Sequence, residues 1–251
     1  MSNVSGNQVY LDTVGLGPET LFAYPNQSVL IADSASPPLP QNRLNFDGAV
    51  GLTYDKTSGV FPNPQPSFFE NIAGSLEQPI IGMALKYNQR GSLDFGYINP
   101  QCYNGTLEYQ NINTTNGLWQ VRASNSGDLD WDTYIDSGSS VITLPAGPAG
   151  QYYVATSQVV QADPATWPDL AGKAIFPCNL TLPSFTFRIN NYTATIPGKY
   201  LNVKTLTHGY CYCGIQQAQG SSMPVLGAPF LMSQYAVFDL NGPRVGLSPQ
   251  V

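Results

Sequence analysis

The sequence predicts an all-β protein with few and short helices, on three observations. Charged residues make up 10% of the 251 residues, far below the roughly 25% of an average soluble domain, too few to coat long amphipathic helices. Glycine (24), proline (21) and tyrosine (15) are plentiful; the first two set turn dihedrals, and the aromatics fit a half-buried pleated surface. Short alternating segments bounded by turn residues recur along the whole chain. With 42% hydrophobic residues, a sizeable core can close without metals or many disulfides, which argues against disorder.

In chain order, residues 9–14 and 28–32 read as strands and residues 67–73 as a short helix. The polar stretch 111–118 reads as the seam between two units. Residues 149–160 form the longest helix candidate, begun by a turn rich in proline and glycine and stopped by Asp163-Pro164. Residues 184–189 alternate as a half-buried strand with Phe185, Phe187 and Ile189 on one face. Residues 235–240 turn at Asn241-Gly242 into residues 244–247, a hairpin signal. Ala49-Val50-Gly51 and Val225-Leu226-Gly227 share a pattern of two apolar residues before a glycine, which suggests a weak two-fold repeat.

The net charge of −6 and the scattered lysines and arginines leave no electrostatic footprint for nucleic acid. No apolar run approaches the ~20 residues of a membrane-spanning helix. Met1-Ser2-Asn3-Val4-Ser5-Gly6 has no hydrophobic leader segment. Six Asn-X-Ser/Thr sequons, at Asn3, Asn26, Asn104, Asn113, Asn179 and Asn191, nonetheless predict a secreted protein carrying N-glycans. Met1 is accordingly read as the start of a mature or trimmed form. The four cysteines Cys102, Cys178, Cys211 and Cys213 allow three pairings, and spacing does not choose among them. Cys211-Tyr212-Cys213 is too tight for zinc-ligand spacing and His208 is the only histidine, so a structural disulfide is expected and neither metal nor cofactor. His208 lies in a Thr-His-Gly turn without a nucleophile motif to serve. Trp119, Trp131 and Trp167 read as core and cleft walls rather than as a sugar platform.

The segment that carries chemistry is Tyr134-Ile135-Asp136-Ser137-Gly138-Ser139-Ser140-Val141-Ile142-Thr143-Leu144-Pro145. An apolar strand delivers Asp136 into a Ser-Gly-Ser turn, and a second apolar strand leads away. Gly138 permits a tight loop, and the hydroxyls of Ser137 and Ser139 can donate to the carboxylate and fix its orientation. Asp-Ser-Gly-Ser alone is a weak motif; its surroundings strengthen it.

Those surroundings resemble the pepsin-like aspartic peptidases, most closely the secreted fungal ones, over almost the whole length. Pro224-Val225-Leu226-Gly227-Ala228-Pro229-Phe230-Leu231, with Tyr235-Ala236-Val237-Phe238-Asp239 and Val245-Gly246-Leu247-Ser248-Pro249, is similar to the family's C-terminal signature, whose apolar pair and glycine pack behind the catalytic loop. Residues 46–52 resemble the matching signature of the first lobe, residues 95–98 and 106–109 the interlobe strands, and Leu118-Trp119-Gln120-Val121 the start of the second lobe. The resemblance implies a disulfide between Cys178 and Cys211, leaving Cys102 and Cys213 to pair with each other or stay free. It also implies a polypeptide substrate and two aspartates, one per lobe, sharing a proton. The ionised one takes a proton from the attacking water, and the protonated one donates to the developing oxyanion. Asp136 matches the second-lobe aspartate, with Ser137, Gly138 and Ser139 completing its loop.

The pattern breaks in the first lobe. The first Asp-Thr-Gly loop and the flap hairpin have no counterpart; the resemblance begins at Ser5-Gly6-Asn7-Gln8-Val9-Tyr10, just after the flap. Residues 119–136 are short for the family, and Ala228 stands where it often has Asp. The expected architecture is a complete C-terminal lobe over residues 116–251 and the back half of an N-terminal lobe over residues 1–115. Three readings stay open. Two chains can pair as a homodimer and each supply an Asp136, in the manner of the dimeric retroviral peptidases. Asp33, in Ala32-Asp33-Ser34-Ala35-Ser36, can be the second acid, although it lies where the family has no catalytic residue. Or the chain is an inactive peptide-binding relative or fragment.

Overall fold

The computed structural model describes residues 3–17, 22–36, 48–60, 62–125 and 129–251. Contacts divide the chain into two compact units, Met1–Pro79 with Thr114–Leu118 and Ile80–Asn113 with Trp119–Val251.

The first unit contains β1 (Asn3–Ser5), β2 (Gln8–Leu16), β3 (Phe22–Ile31), β4 (Ser34–Ser36) and α1 (Phe68–Ile72). β2 and β3 form an antiparallel ribbon from Gln8↔Ile31 to Leu16↔Phe22, and β1 pairs with β4 beyond its open end. Gly6 allows the crossing between the two pairs, since a Cβ there would collide with the Ile31 carbonyl. The helix expected over residues 67–73 forms as α1. The Ser67 hydroxyl accepts from the Glu70 N–H, and the Glu70 carboxylate accepts from the Ser67 N–H, a capping box that satisfies two otherwise orphaned donors.

The first-lobe signature over residues 46–52 is described only from Gly48 onward. Phe46 and Asp47 lie outside the described residues, residues 48–52 have no regular structure, and Val50 is 46% exposed. Among the described residues the apolar pair Ala49-Val50 is exposed, unlike the buried Val225-Leu226, so the weak repeat of the sequence is not matched by a shared setting there.

The second unit runs through β5 (Ile80–Ala84), β6 (Ser92–Phe95), β7 (Glu108–Asn111), β8 (Gln120–Ser124), β9 (Asp130–Ile135), β10 (Ile142–Leu144) and α2 (Ala146–Thr156). It continues through β11 (Val160–Gln161), β12 (Ala174–Pro177), β13 (Phe185–Ile189), β14 (Tyr192–Ile196), β15 (Asn202–Thr205), β16 (Tyr210–Cys213) and β17 (Ile215–Gln217), then β18 (Val225–Leu226), α3 (Ala228–Leu231), β19 (Gln234–Asp239) and β20 (Arg244–Pro249). These build a seven-stranded sheet in the order β14-β13-β8-β9-β18-β10-β17, a four-stranded sheet β11-β12-β16-β15 and a five-stranded sheet β6-β5-β19-β20-β7. In the last, strands from the first half of the chain pair with the C-terminal hairpin, as the interlobe resemblance implied. β6, which pairs with β5 on the outer edge of this sheet, ends at Phe95, where Gly96 takes φ +84°.

β13 buries Phe185, Phe187 and Ile189 and exposes Thr186 and Arg188, the alternation read from the sequence. Trp119 packs edge-on against Phe238 and Trp131 against Phe187; both are core. Trp167 is half-buried beside exposed His208 and half-buried Tyr210.

The long helix is displaced from its expected position. α2 begins three residues early, with Pro145 as its N-cap; Pro148 is tolerated because the first turn needs no N–H donor. It ends at Ser157, φ +57°, whose N–H bonds back to the Tyr153 and Val154 carbonyls. Val160 belongs to a strand, so Ser157 and not Asp163-Pro164 is the stop.

Cys178 and Cys211 form the disulfide. Cys102 and Cys213 are free thiols. They do not pair, because Cys213 is buried in β16 of the four-stranded sheet, whereas Cys102 packs against Ile80, Ala84 and Tyr235 of the five-stranded sheet.

Burial pushes the Cys213 thiol from 9.0 up to about 12 and the Tyr235 phenol up to about 12. Burial also raises Tyr152, Tyr153 and Tyr192. Each group keeps in the folded state a proton that the unfolded chain releases first, so stability falls as pH rises past the unfolded values. Thermal unfolding followed by circular dichroism should therefore show stability lost between pH 9 and about 12, on the order of 1 kcal/mol per pH unit for each group. A flat profile across that range would contradict their burial.

Candidate active site

Asp136 directly follows β9, in the middle of the seven-stranded sheet. β8 flanks β9 antiparallel on one side, and β18 runs parallel to it on the other. β18 also pairs antiparallel with β10, the strand that leaves the Asp136 loop. The loop is thus a bridge over β18. Three backbone bonds seat it: Ile135 N–H to Trp119 O at 3.1 Å, Asp136 N–H to Leu226 O at 3.1 Å, and Ala228 N–H to Ser139 O at 2.7 Å. Gly227 lies under the bridge, where a Cβ would collide with the carbonyls of Ser139 and Val141.

The carboxylate is half-buried and directed through both oxygens. Oδ1 accepts from the Gly138 N–H at 2.8 Å and Oδ2 from the Ser139 hydroxyl at 2.7 Å. A carboxylate oxygen has two lone pairs, so each keeps one for a water or a second acid. Ser137 is exposed and makes no side-chain hydrogen bond among the described residues; the Gly138 amide takes the part expected of its hydroxyl. Burial, with the Asp136 charge beside it, raises the Tyr134 phenol above its usual value, which keeps it an O–H donor near the site.

Sequence reasoning missed Thr143 and Gly214. The Thr143 hydroxyl accepts the Val225 N–H at 2.9 Å and the Gly214 carbonyl accepts the Ile142 N–H at 2.8 Å, which fixes the strands on either side of β10. A threonine in an apolar strand was the available signal; the parallel β10–β17 pairing has no local signature. Asp33 lies in the first unit, exposed, with its N–H donating to Ser5 O at 3.0 Å. Among the described residues no loop like that of Asp136 surrounds it. A cavity of about 420 Å³ walled by Trp131, Pro145, Gln217, Ser222 and Pro224 opens at the start of β9 and the end of β10, the opposite end of these strands from Asp136.

Asp136 is thus a half-buried carboxylate held through both oxygens on a tight loop that bridges the apolar strand β18 and Gly227, with lone pairs left to accept further hydrogen bonds. The chain belongs to the eukaryotic aspartyl protease family, whose model matches residues 3–250. It is 37% identical to aspergillopepsin-1 of Emericella nidulans over 249 residues, 98% of this chain and 61% of that protein. It is 35% identical to penicillopepsin-1 of Penicillium janthinellum over 256 residues, 99% of this chain and 76% of that protein. The crystal structure of an aspartic proteinase from Irpex lacteus superposes with a TM-score of 0.78 at 20% identity, covering 99% of this chain and 80% of that one, so it shares the fold. The chain spans a little under two thirds of the length of the aspergillopepsins.

Proposed function

We propose that the protein is an acid endopeptidase in which Asp136 activates the water that attacks the scissile carbonyl. The observation that carries this reading is the pair of hydrogen bonds on the Asp136 carboxylate, which aim its remaining lone pairs outward. One carboxylate of a close pair takes the proton of the attacking water while the other, protonated, donates to the carbonyl oxygen as it gains charge. The proton gained by the first carboxylate then passes to the leaving amine. The second carboxylate comes from a second copy of the chain rather than from Asp33, which is exposed and sits in a segment, Ala32-Asp33-Ser34-Ala35-Ser36, without a glycine. The lobes divide near residue 115, and the protein is secreted. Among the described sequons, Asn26, Asn104, Asn113, Asn179 and Asn191 are all exposed, as N-glycan acceptors must be.

Hydrolysis of a denatured protein at about pH 3 to 5, where a proton-sharing pair works, tests the reading, with Asp136→Asn as control. No cleavage by the parent chain would leave it a peptide-binding relative. In an active protein, Ser139→Ala should lower kcat about tenfold with KM little changed, the weight of one hydrogen bond of about 1.4 kcal/mol, and Ser139→Thr should restore it. An unchanged kcat would show that the Gly138 amide alone orients the carboxylate.

A further inference from the structure

The cavity at the start of β9 follows from unequal strand lengths. β9 has six residues and β18, its parallel neighbour, only two, in register from Val225↔Tyr134. The N–H groups of Tyr134 and Asp136 point to the β18 side, onto Pro224 O and Leu226 O, whereas that of Ile135 points the other way, onto Trp119 O. Successive residues of a strand aim their backbone groups to opposite sides, so Asp132 turns its N–H and C=O the same way as Tyr134. There β18 has not begun. Pro224 stands where an N–H would meet the Asp132 carbonyl, and proline has none. Among the described residues neither backbone group of Asp132 has a backbone partner. This gap is the cavity of about 420 Å³.

The walls define the occupant. Trp131, Pro145, Ala146 and Pro224 make an apolar trough, and Asp132 is the one charged residue lining it. Asp130 and Asp132 share a single cation, Arg122, at 3.7 and 3.1 Å, so a negative charge stays uncompensated among the three. An anion is repelled there. A long aliphatic stem that ends in a cation fits: its methylenes lie along the indole and the proline rings, and its charged head meets the Asp132 carboxylate and carbonyl, both acceptors. The Asp132 N–H and the indole N–H of Trp131, buried and without a partner among the described residues, are donors that peptide carbonyls satisfy. A lysine or arginine within a polypeptide carries all of these groups.

We propose that this cavity is a subsite for a lysine or arginine of the polypeptide substrate, selected by Asp132. The inference rests on the endopeptidase reading above and gives it a substrate preference. Asp132 precedes Asp136 along β9 by about 13 Å at ~3.3 Å per residue, so the basic residue falls about four positions from the scissile bond of an extended substrate.

Calorimetric titration of the Asp136→Asn protein, which binds without cutting, tests it at about pH 5, above the ordinary carboxylate range. The probes are peptides with an apolar pair at the centre and one lysine placed about two to six positions away on either side, each beside a twin with norleucine instead. The best lysine peptide should bind at least about tenfold more tightly than its twin, the weight of one charge-assisted contact. Ala146→Trp, at an exposed position, fills the cavity, and Asp132→Asn removes its charge. Either change should bring the twins within about twofold of each other, with circular dichroism verifying the fold. Equal affinity of the twins at every position would overturn the subsite, and so would a lysine preference that survives either change. The parent chain should then cleave the best lysine peptide with a lower KM than its twin. Lysine-selective binding lost in both variants, with no cleavage by the parent, would uphold the lysine site and overturn the endopeptidase reading instead.

Discussion

Asp136→Asn is expected to abolish acid proteolysis, lowering kcat/KM by about 10³-fold or more while leaving thermal unfolding nearly unchanged. Asn keeps the shape of Asp. Its amide oxygen can still accept the Gly138 N–H, and the Ser139 hydroxyl can rotate to accept from its NH₂ group. The three backbone bonds that seat the loop use no side-chain atom of residue 136. What is lost is the capacity to hold and release a proton at that place, the property the mechanism uses. Turnover of a denatured protein at about pH 3 to 5, read beside a melting curve, separates the chemistry from the fold. Retained activity would show that another residue of the chain is the base.

Gly227→Val is expected to cost about 3 kcal/mol or more, through overpacking against carbonyls that cannot move independently. For a chain of this size that is a fall in Tm of roughly 6–12 °C. The cost is steric, because Gly227 has φ −88°, a value open to any residue. The added side chain would push against Ser139 O, which is held by the Ala228 N–H at 2.7 Å, and against Val141 O on the way into β10. The Asp136 loop would lift, so activity should fall together with stability. Gly150→Ala on α2 is the control: a Cβ there meets nothing within 4 Å, and helical glycine to alanine is neutral or stabilising. A Gly227→Val protein melting with the parent would mean that the bridge over β18 is slack.

Much of this site is legible in the sequence itself. Asp136 and its loop stood out because an apolar strand, a turn built on Ser-Gly-Ser and a second apolar strand are all local. So did β13, whose period of two is set within five residues, and α1, whose capping box spans four. The helix ends were less legible, because Pro145 and Ser157 bound α2 through backbone conformation and not through residue types that favour caps. The hydrogen-bond partner of Oδ1 was also misread: serine hydroxyls are visible in a sequence, whereas the aim of the Gly138 amide depends on the turn.

Local chemistry in the sequence determined the β-rich class, the C-terminal hairpin, and Asp136 with the loop residues closest to it. Its family resemblance supplied the pairing of Cys178 with Cys211. Only the tertiary structure decided that β18 lies between β9 and β10, that Thr143 and Gly214 brace the strand leaving the site, and that Cys102 and Cys213 remain apart. It also decided that Val225-Leu226 becomes a buried strand while the similar Ala49-Val50 does not. The physical reason is the same in each case. A turn or an alternation is written in neighbouring residues, but a parallel pairing, a buried thiol or a covered strand depends on segments some ten to a hundred residues away, and two like patterns part company according to what packs on them.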